Sequence, residues 1–239
     1  MARDFRRYDP EVQLLANRGF AVFQPNFRGS SGYGSEFEAR GYRQWGLSMQ
    51  RDLSEGVRWL IDQGIADADR IAIYGASYGG YAALMGLVVN PELYRAGASY
   101  AGVTSLTMHL ADNNGYEGLS AFGNRVIGRA WRDRRELKET SPLENADKVQ
   151  APVLLAHGEN DSRVHVKHSA KMANALRRAG KDVEYLEFEN EIHGFILEQN
   201  RIAFYHKLAS FLEENLASRD VAAGAVSAAN AAGAASAED

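Results

Sequence analysis

Cysteine is absent from all 239 residues, which removes disulfides, thiolate metal sites and a cysteine nucleophile together. Any nucleophile is therefore an oxygen or a lysine. Excess positive charge is missing too: 27 Lys and Arg stand against 31 Asp and Glu, a net charge of −4. That balance supplies neither the basic footprint of a nucleic-acid binder nor a polybasic membrane patch. No uninterrupted apolar run approaches the ~20 residues that span a bilayer. The start from Met1 to Arg7 lacks the apolar stretch of a secretory signal. The expectation is a soluble, cytoplasmic chain with no nucleic-acid or membrane partner. What is present, 45% hydrophobic and 24% charged residues, suits one domain with a buried core.

Asp9 and Pro10 read as an N-cap with proline at the first helical position, and Val12, Leu14 and Leu15 supply an apolar face before Gly19 stops the helix. The continuous apolar run from Phe20 to Gln24 then reads as a strand buried on both faces. A helix over 46–63, a strand from Arg70 to Tyr74, a helix from Tyr78 to Val89 and a weaker strand from Ala96 to Tyr100 follow. Beyond them come a strand from Pro152 to His157, a helix from Ser169 to Ala179, a strand from Val183 to Phe188 and a helix from Ile202 to Leu216. This alternation predicts an α/β fold, a mostly parallel sheet with helices on both faces and function at the C-terminal ends of its strands. Residues 104–148, with Arg129, Arg132, Arg134 and Arg135, interrupt the rhythm as a partly helical insertion that either covers the site or forms a solvated face. From Val221 to Ala237 only Ala, Gly, Ser, Asn and Val occur. Residues 1–217 are thus expected to form the domain and 218–239 a low-complexity, disordered tail.

The chemistry centres on Gly75-Ala76-Ser77-Tyr78-Gly79, a Gly-x-Ser-x-Gly pattern between a buried strand and a helix. A nucleophilic serine has to project from a sharp turn, where a side chain at Gly75 or Gly79 is expected to clash with backbone. The following helix aims its first amides at a developing oxyanion, with the Tyr78 amide as first donor. A dinucleotide fingerprint fails here, because Ser77 stands where its central glycine belongs. Among six histidines, His193 lies past the last strand on the same rim as Ser77 and is the candidate base. His157 ends a strand and suits a buried hydrogen-bonding role. Of the acids after that strand, Glu159 and Asp161, the second lies further past the strand end and is preferred as the partner of His193; an Asx-turn is its alternative reading. His165 and His168 have metal-like spacing, but nothing comparable to His-Glu-x-x-His accompanies them, so neither metal nor cofactor is expected.

Taken in order, Asn26 to Gly34, Trp45-Gly46, Asp52, Gly75 to Tyr81, Ser141-Pro142, His157-Gly158-x-x-Asp161 and His193-Gly194-Phe195 resemble the catalytic domain of the prolyl oligopeptidase family of serine peptidases. The closest likeness is to its acylaminoacyl-peptidase and dipeptidyl-aminopeptidase branch, from about Tyr8 to Leu216. The resemblance implies an α/β-hydrolase with Ser77, Asp161 and His193 as nucleophile, acid and base. It also implies three departures. A β-propeller and a His-Gly-Gly-Pro segment, which supplies a second oxyanion donor in this branch, normally precede the position where this chain begins. The strand leading into that segment normally lies between those at Phe20 to Gln24 and Ile71 to Tyr74, so the sheet is expected to lack N-terminal strands and an interior member. Ile192 stands where a glycine is usual.

Three readings follow: a peptidase acting on small peptides, a carboxylesterase acting on small acyl esters, or a noncatalytic fragment with a vestigial triad. An incomplete sheet also predicts self-association.

Overall fold

The computed structural model describes residues 2–112 and 117–217; the predicted tail at 218–239 lies outside the described residues. Helix α1 (Pro10–Asn17) begins as its sequence dictates, the Asp9 carboxylate accepting the Glu11 and Val12 amides. Helices α2 (Ser35–Ala39) and α3 (Ser48–Asp62) follow. Then come strand β1 (Ala72–Ala76), helix α4 (Tyr78–Val89) and strand β2 (Ala96–Tyr100). Helices α5 (Leu106–Asp112), α6 (Glu117–Val126) and α7 (Arg134–Glu139), with a 3-10 segment at Pro142–Lys148, make up the insertion. Strand β3 (Val153–Gly158), helix α8 (Lys167–Arg178), strand β4 (Val183–Phe188) and helix α9 (Glu198–Leu216) complete the order.

The four strands pair in parallel in the order β1-β2-β3-β4. Side-chain alternation along them feeds two cores. Ile73, Val153, Leu155, Val183 and Tyr185 face α3, α4 and α8 on one side. Tyr74, Ala98, Leu154, Ala156 and Phe188 face α1 and α9 on the other, where Leu15, Phe204, Leu208 and Phe211 are buried. Helix α4 is buried along nearly its whole length from Gly80 to Val88, and its sequence is accordingly apolar around the full circumference. The small residues of β2 let it sit close, since a Cβ at Gly97 would lie 2.5 Å from Leu87.

Two expectations need correction. Phe20 to Gln24 forms no strand: Val22 and Phe23 are exposed, and among the described residues β1 ends the sheet on that side. An apolar run becomes a strand only when a neighbouring strand takes its backbone groups, and among the described residues no strand pairs with it; the Phe20 amide instead closes the end of α1 on the Leu15 carbonyl at 3.1 Å. The insertion, in turn, is more than a solvated face. Leu106, Val126, Ile127 and Leu137 are buried in the core beside α4, and Tyr81 donates to the Thr140 carbonyl at 2.8 Å.

Candidate active site

The three predicted site residues come together at the C-terminal ends of the strands. Ser77 follows β1 directly, Asp161 lies on the loop after β3 and His193 on the loop after β4. Ser77 has φ +57°, a left-handed conformation uncommon for a residue with a side chain, and it is the turn between β1 and α4. Gly75 makes that turn possible, because a Cβ there would stand 2.4 Å from the carbonyl carbon of Gly79. The matching expectation for Gly79 fails: a Cβ at that position meets nothing within 4 Å outside its own helix turn, so Gly79 serves by having its backbone near Gly75.

Ser77 Oγ lies 2.8 Å from His193 Nε2, and His193 Nδ1 lies 2.6 Å from Asp161 Oδ2. A carboxylate only accepts, so Nδ1 carries the proton, Nε2 of the neutral ring is free to accept, and the Ser77 hydroxyl donates to it. Asp161 is buried, and its second oxygen accepts the Arg163 amide at 2.8 Å and the Val164 amide at 3.0 Å. The Asx-turn and the partnership with His193 are thus both true, one oxygen to each. Burial alone raises the carboxyl pKa. The hydrogen bonds from His157, His193 and the Val164 amide outweigh it and hold the group well below the usual carboxylate range. Asp161 is ionised whenever the protein works near neutrality.

His157 occupies the buried role its position suggested and adds a contact that sequence reasoning missed. Its Nε2 faces two acceptors, the Val164 carbonyl at 2.7 Å and Asp161 Oδ2 at 3.3 Å, so it carries the proton. Its Nδ1 then accepts from the Ser169 hydroxyl at 2.7 Å. The only signal in the sequence is a histidine four residues before an aspartate. His168 is turned elsewhere, its Nδ1 accepting the Thr104 amide at 3.0 Å. Among the described residues no group of three His, Asp or Glu is placed to hold a metal ion.

The remaining motif residues build the frame. Arg28 grips Asp52 through its guanidinium and its amide, tying the glycine-rich loop at 26–34 to α3. Trp45 packs edge-on against Tyr78 with ring centroids 4.5 Å apart. Ser141 accepts the Leu106 amide at 2.8 Å. Ile192, half exposed, has no positive φ; the left-handed residue of its loop is Asn190, so isoleucine there imposes no strain.

Comparison with known proteins bears on the family and the fold. Dipeptidyl aminopeptidase BIII of Pseudoxanthomonas mexicana is 36% identical over 223 residues, covering 91% of this chain and 32% of that protein. A puromycin-hydrolyzing peptidase of Mycobacterium tuberculosis superposes with a TM-score of 0.76 at 33% identity, over 80% of this chain and 29% of the other. Acylaminoacyl peptidase of Pyrococcus horikoshii gives 0.73 at 30% identity, over 80% and 31%. The chain spans about a third of the length of these relatives. It shares with the solved structures the α/β-hydrolase fold that its motifs imply. The family model for the prolyl oligopeptidase family matches residues 6–219, and with the elbow serine and its two partners in place, this chain belongs to that family.

Proposed function

We propose that this domain is a serine peptidase that cleaves small peptides by acyl transfer. The observation that carries the reading is the hydrogen-bonded series from Ser77 through His193 to Asp161 at the strand-to-helix turn. Ser77 Oγ attacks the scissile carbonyl carbon while His193 Nε2 takes its proton. Asp161 fixes the tautomer and stabilises the imidazolium, and the Tyr78 amide, first of α4, donates to the oxyanion. The C–N bond breaks as His193 returns the proton to the leaving amine. Water then attacks the acyl-enzyme, its proton passing to His193 and on to Ser77. No step draws on a cofactor.

The peptidase names of the relatives support an amide as the scissile bond. Rates on aminoacyl p-nitroanilides and on p-nitrophenyl esters test this. Turnover of both is expected, lost in Ser77→Ala; turnover of esters alone would remove the peptidase label and leave a carboxylesterase. Among the described residues no helix is long and apolar enough to cross a membrane. A cytoplasmic setting is part of the proposal, tested by fractionating the host cell.

A further inference from the structure

Glu191 is a charged residue with no exposure to solvent, two positions before His193. Leaving a carboxylate in such a place is costly unless its lone pairs are filled. They are filled here by three donors. Oε2 accepts the Ile196 amide at 2.6 Å, and Oε1 accepts the Leu197 amide and the Asn200 side-chain amide, each at 3.0 Å. Leu197 is the N-cap of α9 and Asn200 lies in its first turn, so the anion also sits at the positive end of a 19-residue helix. Those amides hold the Glu191 carboxyl below its ordinary range against the opposing effect of burial.

The consequence is a closed loop with His193 at its tip. On one side the Glu191 carboxylate fastens the chain to the start of α9. On the other, the Glu191 carbonyl accepts the Asn160 amide at 2.8 Å, and Glu159 donates to the Phe188 carbonyl at 3.0 Å. The loop of His193 is thereby pinned to the loop that carries Asp161. The fit is tight: a Cβ at Gly158 would stand 2.5 Å from the Ile192 oxygen and 2.6 Å from that of Glu191. Further contacts join this loop to α9: Asn200 reaches the Glu189 carbonyl at 3.4 Å, and the Phe195 ring packs against Phe204 with centroids 5.2 Å apart, so the carboxylate is the charged part of a clamp whose apolar part is Phe195.

We infer that Glu191 is a positioning residue, clamping the loop so that the His193 ring meets Asp161 and Ser77 together. The inference rests on the proposed role of His193 as base. Glu191→Gln is the informative variant. It keeps size and shape but turns one oxygen into an NH2 that must face an N–H donor, so at least one bond of the clamp becomes a clash of donors.

The experiment measures three things on wild type, Glu191→Gln and Asn200→Ala at a temperature well below each thermal midpoint. They are the second-order rate of Ser77 labelling by a fluorophosphonate, the folded fraction, and the low-field proton resonance of His193 Nδ1–H. Glu191→Gln is expected to label about 10²-fold more slowly per folded molecule, the size of loss a displacement near 1 Å produces, with the resonance shifted or broadened. Asn200→Ala, which removes one of the three donors, is expected to lie between. Wild-type rate and resonance in folded Glu191→Gln would overturn the inference, reducing Glu191 to a helix cap. If Glu191→Gln does not fold, wild-type behaviour of Asn200→Ala overturns it. Should wild type itself fail to label, the catalytic reading has failed, and the resonance alone decides on Glu191.

Discussion

Asp161 divides its work between two oxygens, and this division explains why it, and not Glu159, meets His193. The Asx-turn made by one oxygen locks the side chain inward, leaving the other aimed at His193. Asp161→Asn keeps the shape but offers an amide where His193 and His157 both donate; turnover is expected to fall by about 10⁴-fold with the fold retained, as loss of the correct tautomer does elsewhere. Activity above a tenth of wild type would contradict it. His168 gives a prediction of a different kind. Burial first, then neighbouring His109, pushes it down to about 3, so it stays neutral in the folded chain. Unfolded, it takes up a proton near pH 6.5. As pH falls from 6.5 towards 3 the unfolded state binds more protons, and this group alone lowers stability by up to about 1.4 kcal/mol per pH unit. His168→Asn, whose Oδ1 can still accept the Thr104 amide, is expected to flatten the loss of denaturation midpoint between pH 6.5 and 4.5; equal slopes would contradict it. At this scale Ser77, His193 and Asp161 were legible because strand ends and chain order confine them. Glu191 and the His157 contact were not, because loops decide them and loop geometry has no periodicity to read.

Elements were legible where periodicity and punctuation agreed. The helix Tyr78 to Val89 and the strands Ala96 to Tyr100 and Val183 to Phe188 stand as the pattern predicts. Helix α9 starts earlier than its apolar pattern, because Glu191 and Asn200 settle its first turn and not its hydrophobic face. Phe20 to Gln24 shows the opposite failure: composition satisfied every local rule for a strand, but pairing is a tertiary fact. The elbow between β1 and α4 can be tested directly by contrast. Gly75→Ala drives a methyl into the Gly79 backbone and is expected to cost at least about 1–3 kcal/mol and most of the Ser77 labelling. Gly79→Ala meets open space and is expected to label near the wild-type rate. Thermal midpoints and labelling rates of the pair check this; equal behaviour would refute the account of the turn.

At the scale of the whole molecule, family membership and fold rest on nearly the full described chain, while the relatives extend to about three times its length. Among the described residues β1 has a neighbour on one side only. Open strand edges pair with other chains, so this domain alone is expected to self-associate with rising concentration, read by light scattering coupled to size exclusion. A monomer at every concentration, with turnover, would exclude that and the reading as a noncatalytic module together. The central claim, that Ser77 is a nucleophile activated by His193 and Asp161, is tested most directly by covalent labelling with a fluorophosphonate followed by intact mass. Wild type is predicted to gain one adduct, on Ser77, and Ser77→Ala none; equal labelling of the two, or none of either, would contradict the account.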